Sequence, residues 1–174
     1  GEEARIFAPY HKNGYLAGQP DSGVYLQDYP YKMARFYQSY SRLRCRTLIK
    51  QWKPDIVHET YFSRFRSAPR GYRSALTVHD MIHELYPEKF SWREKSIAAK
   101  RAAVSRVDHI LCISENTRND LLSIYGIDDS RVSVVYHGFD PFDGAVKDVR
   151  MPRPYILHVG QRGGYKNFER LVRA

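Results

Sequence analysis

Two cations four residues apart, Arg162 and Lys166, flank the pair Gly163-Gly164 in the stretch HVGQRGGYKN. A tight turn between a strand ending at Gly160 and a following helix would aim unpaired backbone N–H groups at one point, where an anion is stabilised. A guanidinium grips two phosphate oxygens through its fork and an ammonium adds a point charge. Arg162 and Lys166 together could therefore neutralise a diphosphate without a metal. The spacing is neither G-x-G-x-x-G nor G-x-x-x-x-G-K-[ST], which argues against a dinucleotide or P-loop site. Taken alone, the motif also suits a purely structural glycine turn.

A second set of reactive side chains lies in TVHDMIHELYPE, residues 77 to 88. His79 and His83 have the spacing of a zinc-binding helix, but His79 ends a β-branched run, so the one-face geometry fails at the first ligand. The functional reading is a His79-Asp80 pair at a strand end, facing a cleft and binding hydroxyl groups. The structural one is a loop histidine satisfied by backbone. Other short apolar runs end on polar residues too: His58-Glu59, Ser114-Glu115 and His137-Gly138.

The third feature is charge. Of the +9 net charge, all lies in residues 29 to 73, where 11 Lys and Arg face only Asp55 and Glu59; the remainder holds 17 of each sign. At 100° per residue, Arg35, Arg42, Arg46, Lys50 and Lys53 fall within an arc of about 80° on one helix. Met33, Phe36, Tyr37, Tyr40, Leu43, Leu48 and Trp52 lie mostly on the other side, which is expected to pack inward. A solvated face would explain such a stripe. Yet residues 29 to 54 contain no acid to offset the repulsion, which points to an anionic partner: lipid headgroups, a pyrophosphate-linked lipid or a nucleic acid.

These groups need a scaffold. Strand-like runs occur at ARIFAPY, PDIVHE, SALTVH, DHILCIS, RVSVVYH and PYILHV, with helical segments predicted at about 33–52, 91–107 and 114–125 and from about 165. Ser114 suits an N-cap and Gly126 a C-terminal stop. The alternation predicts an α/β fold, a Rossmann-like parallel sheet with helices on both faces, whose ligands sit beyond the carboxyl ends of the strands. Residues 137 to 154 carry three prolines and no periodicity. The expected organisation is a domain over 1–142, a linker over 143–153, and a second domain beginning at 154–174. Two cysteines make no disulfide framework and fit a reducing cytoplasm; no apolar run reaches membrane-spanning length. Cys112 reads as a buried thiol, and Cys45, among three arginines, would be acidified only if exposed.

The ordered succession of TVHDMIHELYPE, RVDHILCISENTRNDLLSIYGI, RVSVVYHGFD and RPYILHVGQRGGYKNFERLVRA resembles glycosyltransferase family 4, over roughly residues 54 to 174. Within it the chain looks most similar to bacterial O-antigen and polysaccharide mannosyltransferases. The resemblance implies a GT-B fold and a retaining, metal-independent transfer of a sugar. The donor would be a nucleotide-sugar, with GDP-mannose a candidate, and the acceptor a glycan or lipid-linked saccharide. His79 matches the family's strand-end histidine beside the transferred sugar and is the catalytic candidate. Gly160, Arg162, Gly163 and Lys166 match the donor-diphosphate site. His58, Glu59, Asp80, Ser114, Glu115, His137 and Gly138 are cleft candidates, with His137 standing where the family more often has Asn. Neither a metal nor a bound cofactor is implied. The family's first glycine-rich loop and its later pair of glutamates have no counterpart, so the chain is expected to be a fragment, inactive by itself, lacking its first strand and most of the nucleotide-sugar domain. Peripheral attachment to the inner face of the plasma membrane is expected from the cationic segment. The alternatives are a basic module binding nucleic acid or an anionic surface without catalysis, a zinc hydrolase using His79 and His83, and a transferase-like scaffold without activity. The nucleic-acid reading lacks any groove-reading or stacking motif.

Overall fold

The computed structural model describes residues 2–19, 23–28, 31–139, 154–162 and 166–174. A short parallel pair, β1 (Tyr10–His11) and β2 (Val24–Tyr25), precedes the long helix α1 (Ala34–Trp52). Lys53 closes α1 in a left-handed conformation, and Pro54 follows. Next come β3 (Ile56–Glu59), β4 (Arg73–Val78), the single turn α2 (Ile82–Leu85), α3 (Arg93–Arg106), β5 (His109–Cys112), α4 (Glu115–Tyr125) and β6 (Val132–Val134). β3 to β6 form one all-parallel sheet in sequence order. A parallel partner can be reached only by a crossover, and α3 and α4 supply two of them.

The register decides which side chains meet. Leu76, Val78, Ile110, Cys112 and Val132 point to one face and bury against Ala103, Val104 and Val107 of α3 and Leu121 of α4. Burying such an aliphatic side chain is worth about 2 kcal/mol, which makes this layer the core of the fold. The next residues along each strand point the other way. His58, Ala75, Thr77, His109, Leu111 and Ser133 are none of them buried. On that face His58 Nε2 lies 2.7 Å from Thr77 Oγ1, and His109 Nε2 lies 2.8 Å from Ser133 Oγ. Among the described residues, α3 and α4 thus cover one side of the sheet. α1 meets it at the β3 edge, through Ile49 against Val57 and Ala68.

The parallel α/β architecture is as the alternation predicted, and so is α4. Ser114 Oγ accepts from the Thr117 N–H, while Gly126 terminates the helix at a φ of 62°, a conformation glycine adopts at little cost. Three details differ from expectation. Residues 4 to 9 form no strand. Phe7 instead packs edge-to-face on Trp52 at 5.8 Å, and its carbonyl accepts from the Cys45 thiol. The run PYILHV is not a strand either: Tyr155, Ile156, Leu157 and Val159 are exposed, and among the described residues no neighbour offers a ladder. Among the described residues that follow is a short helix, α5 (Phe168–Arg173).

The third difference concerns α1. The face turned inward carries Tyr37, Ser41, Cys45, Leu48, Ile49 and Trp52, whereas Phe36, Tyr40 and Leu43 are exposed. Apolar residues occupy more than half of this helix's circumference. Packing against Phe7, Val57 and Ala68 then selects which part is covered. The expected linker, 143–153, lies outside the described residues.

Candidate functional site

The carboxyl edge of the sheet gathers residues from all four strands. His79, directly after β4, donates Nε2–H to the Thr60 carbonyl at 3.1 Å, since a carbonyl can only accept. That bond leaves Nδ1 as the lone-pair nitrogen of the neutral ring. The His79 ring stacks on His137, beyond β6, at 5.4 Å, and lies 6.0 Å from the ring of Tyr61, beyond β3. From the β5 side, Thr117 Oγ1 donates to the His79 carbonyl, and Ser114 Oγ lies 3.0 Å from the same hydroxyl. Asp80 accepts from the Ile82 N–H and so opens α2. Its charge also faces Tyr61, whose phenol is held above its usual range first by burial and then by Asp80. The result is an aromatic and polar surface that carries imidazole nitrogens, of a kind that can hydrogen-bond to and stack on a ring bearing hydroxyl groups.

Behind that surface is a fully buried lysine. Lys100 of α3 donates to the Asp80 carbonyl and to Glu84 Oε2, both at 2.8 Å, with its ammonium 5.4 Å from the Phe62 ring centre. Tyr125 of α4 donates to the other Glu84 oxygen. Burial, then that carboxylate, pushes the Tyr125 phenol well above its usual range. Both oxygens of Glu84 and the free end of Lys100 are thereby engaged, which is the condition under which a buried pair is tolerable. This network pins the turn that carries His79.

Of the predicted site residues, the structure brings His79, Asp80, Ser114 and His137 together. Glu115 is at the same edge but exposed, 3.7 Å from Arg118. Gly138 is exposed, with open space where a Cβ would stand. His58 and Glu59 do not join the group, since consecutive strand residues point to opposite faces. His58 lies on the open face, its pKa lowered by burial. Glu59 is buried, one oxygen held by Arg106 at 2.6 Å and the other by the Ser67 N–H at 2.9 Å. The residues reaching the edge from β3 are Thr60 and Tyr61, which the apparent strand end at Glu59 concealed. Lys100 did leave a signal: it shares a helical face with Ala103, Val104 and Val107, and a lysine on a core face calls for a buried partner.

His83 belongs to different surroundings from His79. It is buried against Phe90 and Trp92 at 4.6 and 4.8 Å, and neither ring nitrogen has a hydrogen-bond partner among the described residues. No group of three or more His, Cys, Asp or Glu among the described residues is arranged to hold a metal ion. Both cysteines are pushed up to about 11 by burial, Cys45 despite its arginine neighbours. In the last segment, Gly160 has a φ of 132°, a backbone conformation suited to glycine. The Arg162 guanidinium lies 5.3 Å from the Phe168 ring centre. Lys166 is exposed, and Gly163 lies outside the described residues. Of the cationic stripe, Arg35, Arg46, Lys50 and Lys53 are exposed. Arg42 turns onto the Phe65 ring at 4.1 Å, lining a hollow of about 580 Å³ with Tyr37, Ser41, Ser63 and Arg64. None of the His79 group lines that hollow, so the chemistry of the side chains rather than volume marks the site.

Two comparisons bear on this geometry. Residues 2–141 match the family model described as Glycosyltransferase Family 4. The chain is also 25% identical over 131 residues to the O-antigen chain mannosyltransferase RfbU of Salmonella typhimurium (strain LT2). The match covers 75% of this chain and 35% of that relative, so the chain spans about a third of the length of the curated protein it resembles.

Proposed function

Because the chain belongs to glycosyltransferase family 4, we propose that it forms the acceptor-side part of an enzyme that transfers a sugar from a nucleotide-sugar to a glycan or lipid-linked acceptor. The observation that carries this reading is His79, held at the carboxyl edge by Thr60, Thr117 and His137 from three neighbouring segments. Sheets of this kind bind ligands at that edge. His79 would accept a hydrogen bond from a hydroxyl of the transferred sugar, with His137 and Tyr61 as its aromatic flank. Asp80 and Ser114 hold the turn in place, and Glu115 faces the acceptor side.

Breaking a sugar–phosphate bond leaves negative charge on the departing diphosphate. Cations fixed beside it act most strongly in the transition state. Arg162 and Lys166 are assigned that task, which lets the reaction run without a metal; retention of configuration is proposed from the family resemblance. Mannose from GDP-mannose is the proposed donor, supported by the name of the relative, and surface polysaccharide is the proposed product. The excess of cations on residues 29 to 73 supports attraction to an anionic membrane surface, the inner face of the plasma membrane.

The test is sugar transfer by the full-length protein, offered GDP-mannose, UDP-glucose and UDP-galactose with lipid-linked acceptors, with and without chelator. Transfer of mannose in chelator, giving a product with the donor's anomeric configuration, is expected. Absence of transfer from every donor would sink the enzymatic reading, and loss in chelator would sink its metal-free form.

A further inference from the structure

Residues 60–72 carry the chain from β3 to β4 without a helix or strand, although parallel neighbours are more often joined through a helix. Such a stretch has no backbone ladder of its own, so its shape depends on what its polar groups meet. Two inward side chains meet them. Glu59, the last residue of β3, accepts from the Ser67 N–H through Oε1 at 2.9 Å, which closes the segment between them into a loop. Its other oxygen takes one terminal nitrogen of the Arg106 guanidinium at 2.6 Å. The second terminal nitrogen donates to the Ser63 carbonyl at 2.7 Å, midway round that loop. The Glu59 and Arg106 side chains are 4% and 16% exposed.

This loop holds out Thr60 and Tyr61. The Thr60 carbonyl accepts from His79 Nε2, and Tyr61 stacks at 4.2 Å on Phe62, which packs against the core. At the His79 end of that bond, Lys100 of α3 holds the next carbonyl, that of Asp80. At the Thr60 end, Arg106 of α3 holds the loop. One helix thus anchors both halves of a single hydrogen bond at the carboxyl edge of the sheet.

We infer that Glu59 and Arg106 are positioning residues for sugar transfer. Their ion pair fixes the loop, the loop fixes the Thr60 carbonyl, and that carbonyl fixes the direction in which the His79 imidazole meets the sugar. The inference rests on the proposed role of His79 and adds two residues that stand outside the His79 group. Stability alone does not account for the pair. Two charges taken out of water recover little more than their desolvation cost, and apolar side chains of similar volume fill such a place as well. Apolar side chains cannot, however, hold the Ser63 carbonyl and the Ser67 N–H, an acceptor and a donor, at set places. A planar guanidinium bound to two acceptors is directional in a way that volume filling is not.

The experiment uses the full-length protein with GDP-mannose and a lipid-linked acceptor. It reads kcat, the donor KM and the imidazole N–H signal of His79 in the NMR spectrum of histidine-labelled protein, assigned by its loss in His79→Gln. The wild type should show that signal, held back from exchange with water by the Thr60 carbonyl. Combining Glu59→Met with Arg106→Met removes both charges and keeps the volume, so the double variant should melt close to the wild type. It should lose the His79 signal to exchange and lower kcat on the order of 10- to 100-fold. The donor KM should stay within about threefold, because a displaced group costs most in the transition state. Arg106→Lys keeps a positive charge beside Glu59 without the fork that also reaches Ser63, and should lower kcat about fivefold. A double variant that melts normally and either keeps the signal or transfers at the wild-type rate overturns the inference. If the double variant does not fold, Arg106→Lys decides: a weakened signal with lowered kcat supports the inference, and a wild-type signal or rate overturns it. Absence of the signal in the wild type overturns it as well, since the bond to Thr60 would not be formed. A wild type that transfers no sugar from any donor sinks the enzymatic reading, while the His79 signal in the variants still decides whether the pair holds the imidazole.

Discussion

Residues 73 to 134 and residues 31 to 53 treat charge in opposite ways. In the first region Lys100 and Arg106 turn inward and are matched, Lys100 by Glu84, which Tyr125 also engages, and Arg106 by Glu59, while the exposed Asp108 is held by Ser74. In the second, Arg35, Arg46 and Lys50 face solvent beside an apolar ridge, and the sequence there offers no acid to match them. A matched buried ion costs about as much to desolvate as it returns, so its value is geometric: it fixes a turn in one place. Unmatched surface cations do little for the fold, and their use lies in attracting something else. The contrast separates a region that holds His79 from one for which a partner has been proposed.

The most direct way to break this contrast is to remove a charge from the matched set. Lys100→Met should destabilise the protein by about 3–5 kcal/mol in urea unfolding, because Glu84 is left buried with its charge uncompensated. Adding Glu84→Gln to that variant should recover a large part of the loss. If Lys100→Met cost under about 1 kcal/mol, the network would not be holding the turn.

Acid titration sharpens the same point with a smaller effect. The backbone N–H of Ser74, then its hydroxyl, hold the Asp108 carboxyl below its usual range. A carboxyl whose folded pKa is depressed adds stability that is fully present above its unfolded pKa. That stability is lost as pH falls through the lower folded value. Stability should therefore decline from about pH 4 downward. Asp108→Asn should be less stable at neutral pH and show a shallower acid decline. An unchanged acid profile would mean the Ser74 contacts do not bear on folding. At the other end of the scale, Arg46→Ala should shift unfolding by no more than about 0.5 kcal/mol, as expected of an exposed surface side chain. A larger loss would place Arg46 among the matched ions.

The contrast also explains what could be read from the sequence. The four strands of the main sheet and α4 with both its ends were legible because their signals are local: apolar runs, the cap at Ser114, the stop at Gly126. His79 and Ser114 were legible as strand-end residues, since a parallel sheet presents its carboxyl edge to ligands. Tyr61 and Thr60 were not, because the run IVHE gives no sign that the chain stays on the same edge two residues later. Lys100 was overlooked because a charged side chain in a helix full of charges looks solvated until its partner, 16 residues earlier, is brought beside it. On α1 the periodicity was right and the orientation wrong. Apolar residues surround too much of that helix for its pattern to say which stripe the fold will cover, and only the neighbours Phe7, Val57 and Ala68 decide it.

The central claim is that the His79 turn is the working edge of a sugar transferase. Steady-state transfer by the full-length His79→Ala variant, with its melting temperature as a folding control, tests it most directly. A loss of about a hundredfold or more in kcat, with melting unchanged, is the expected result for a group that contacts the reacting sugar. A variant that turns over at the wild-type rate would contradict the account.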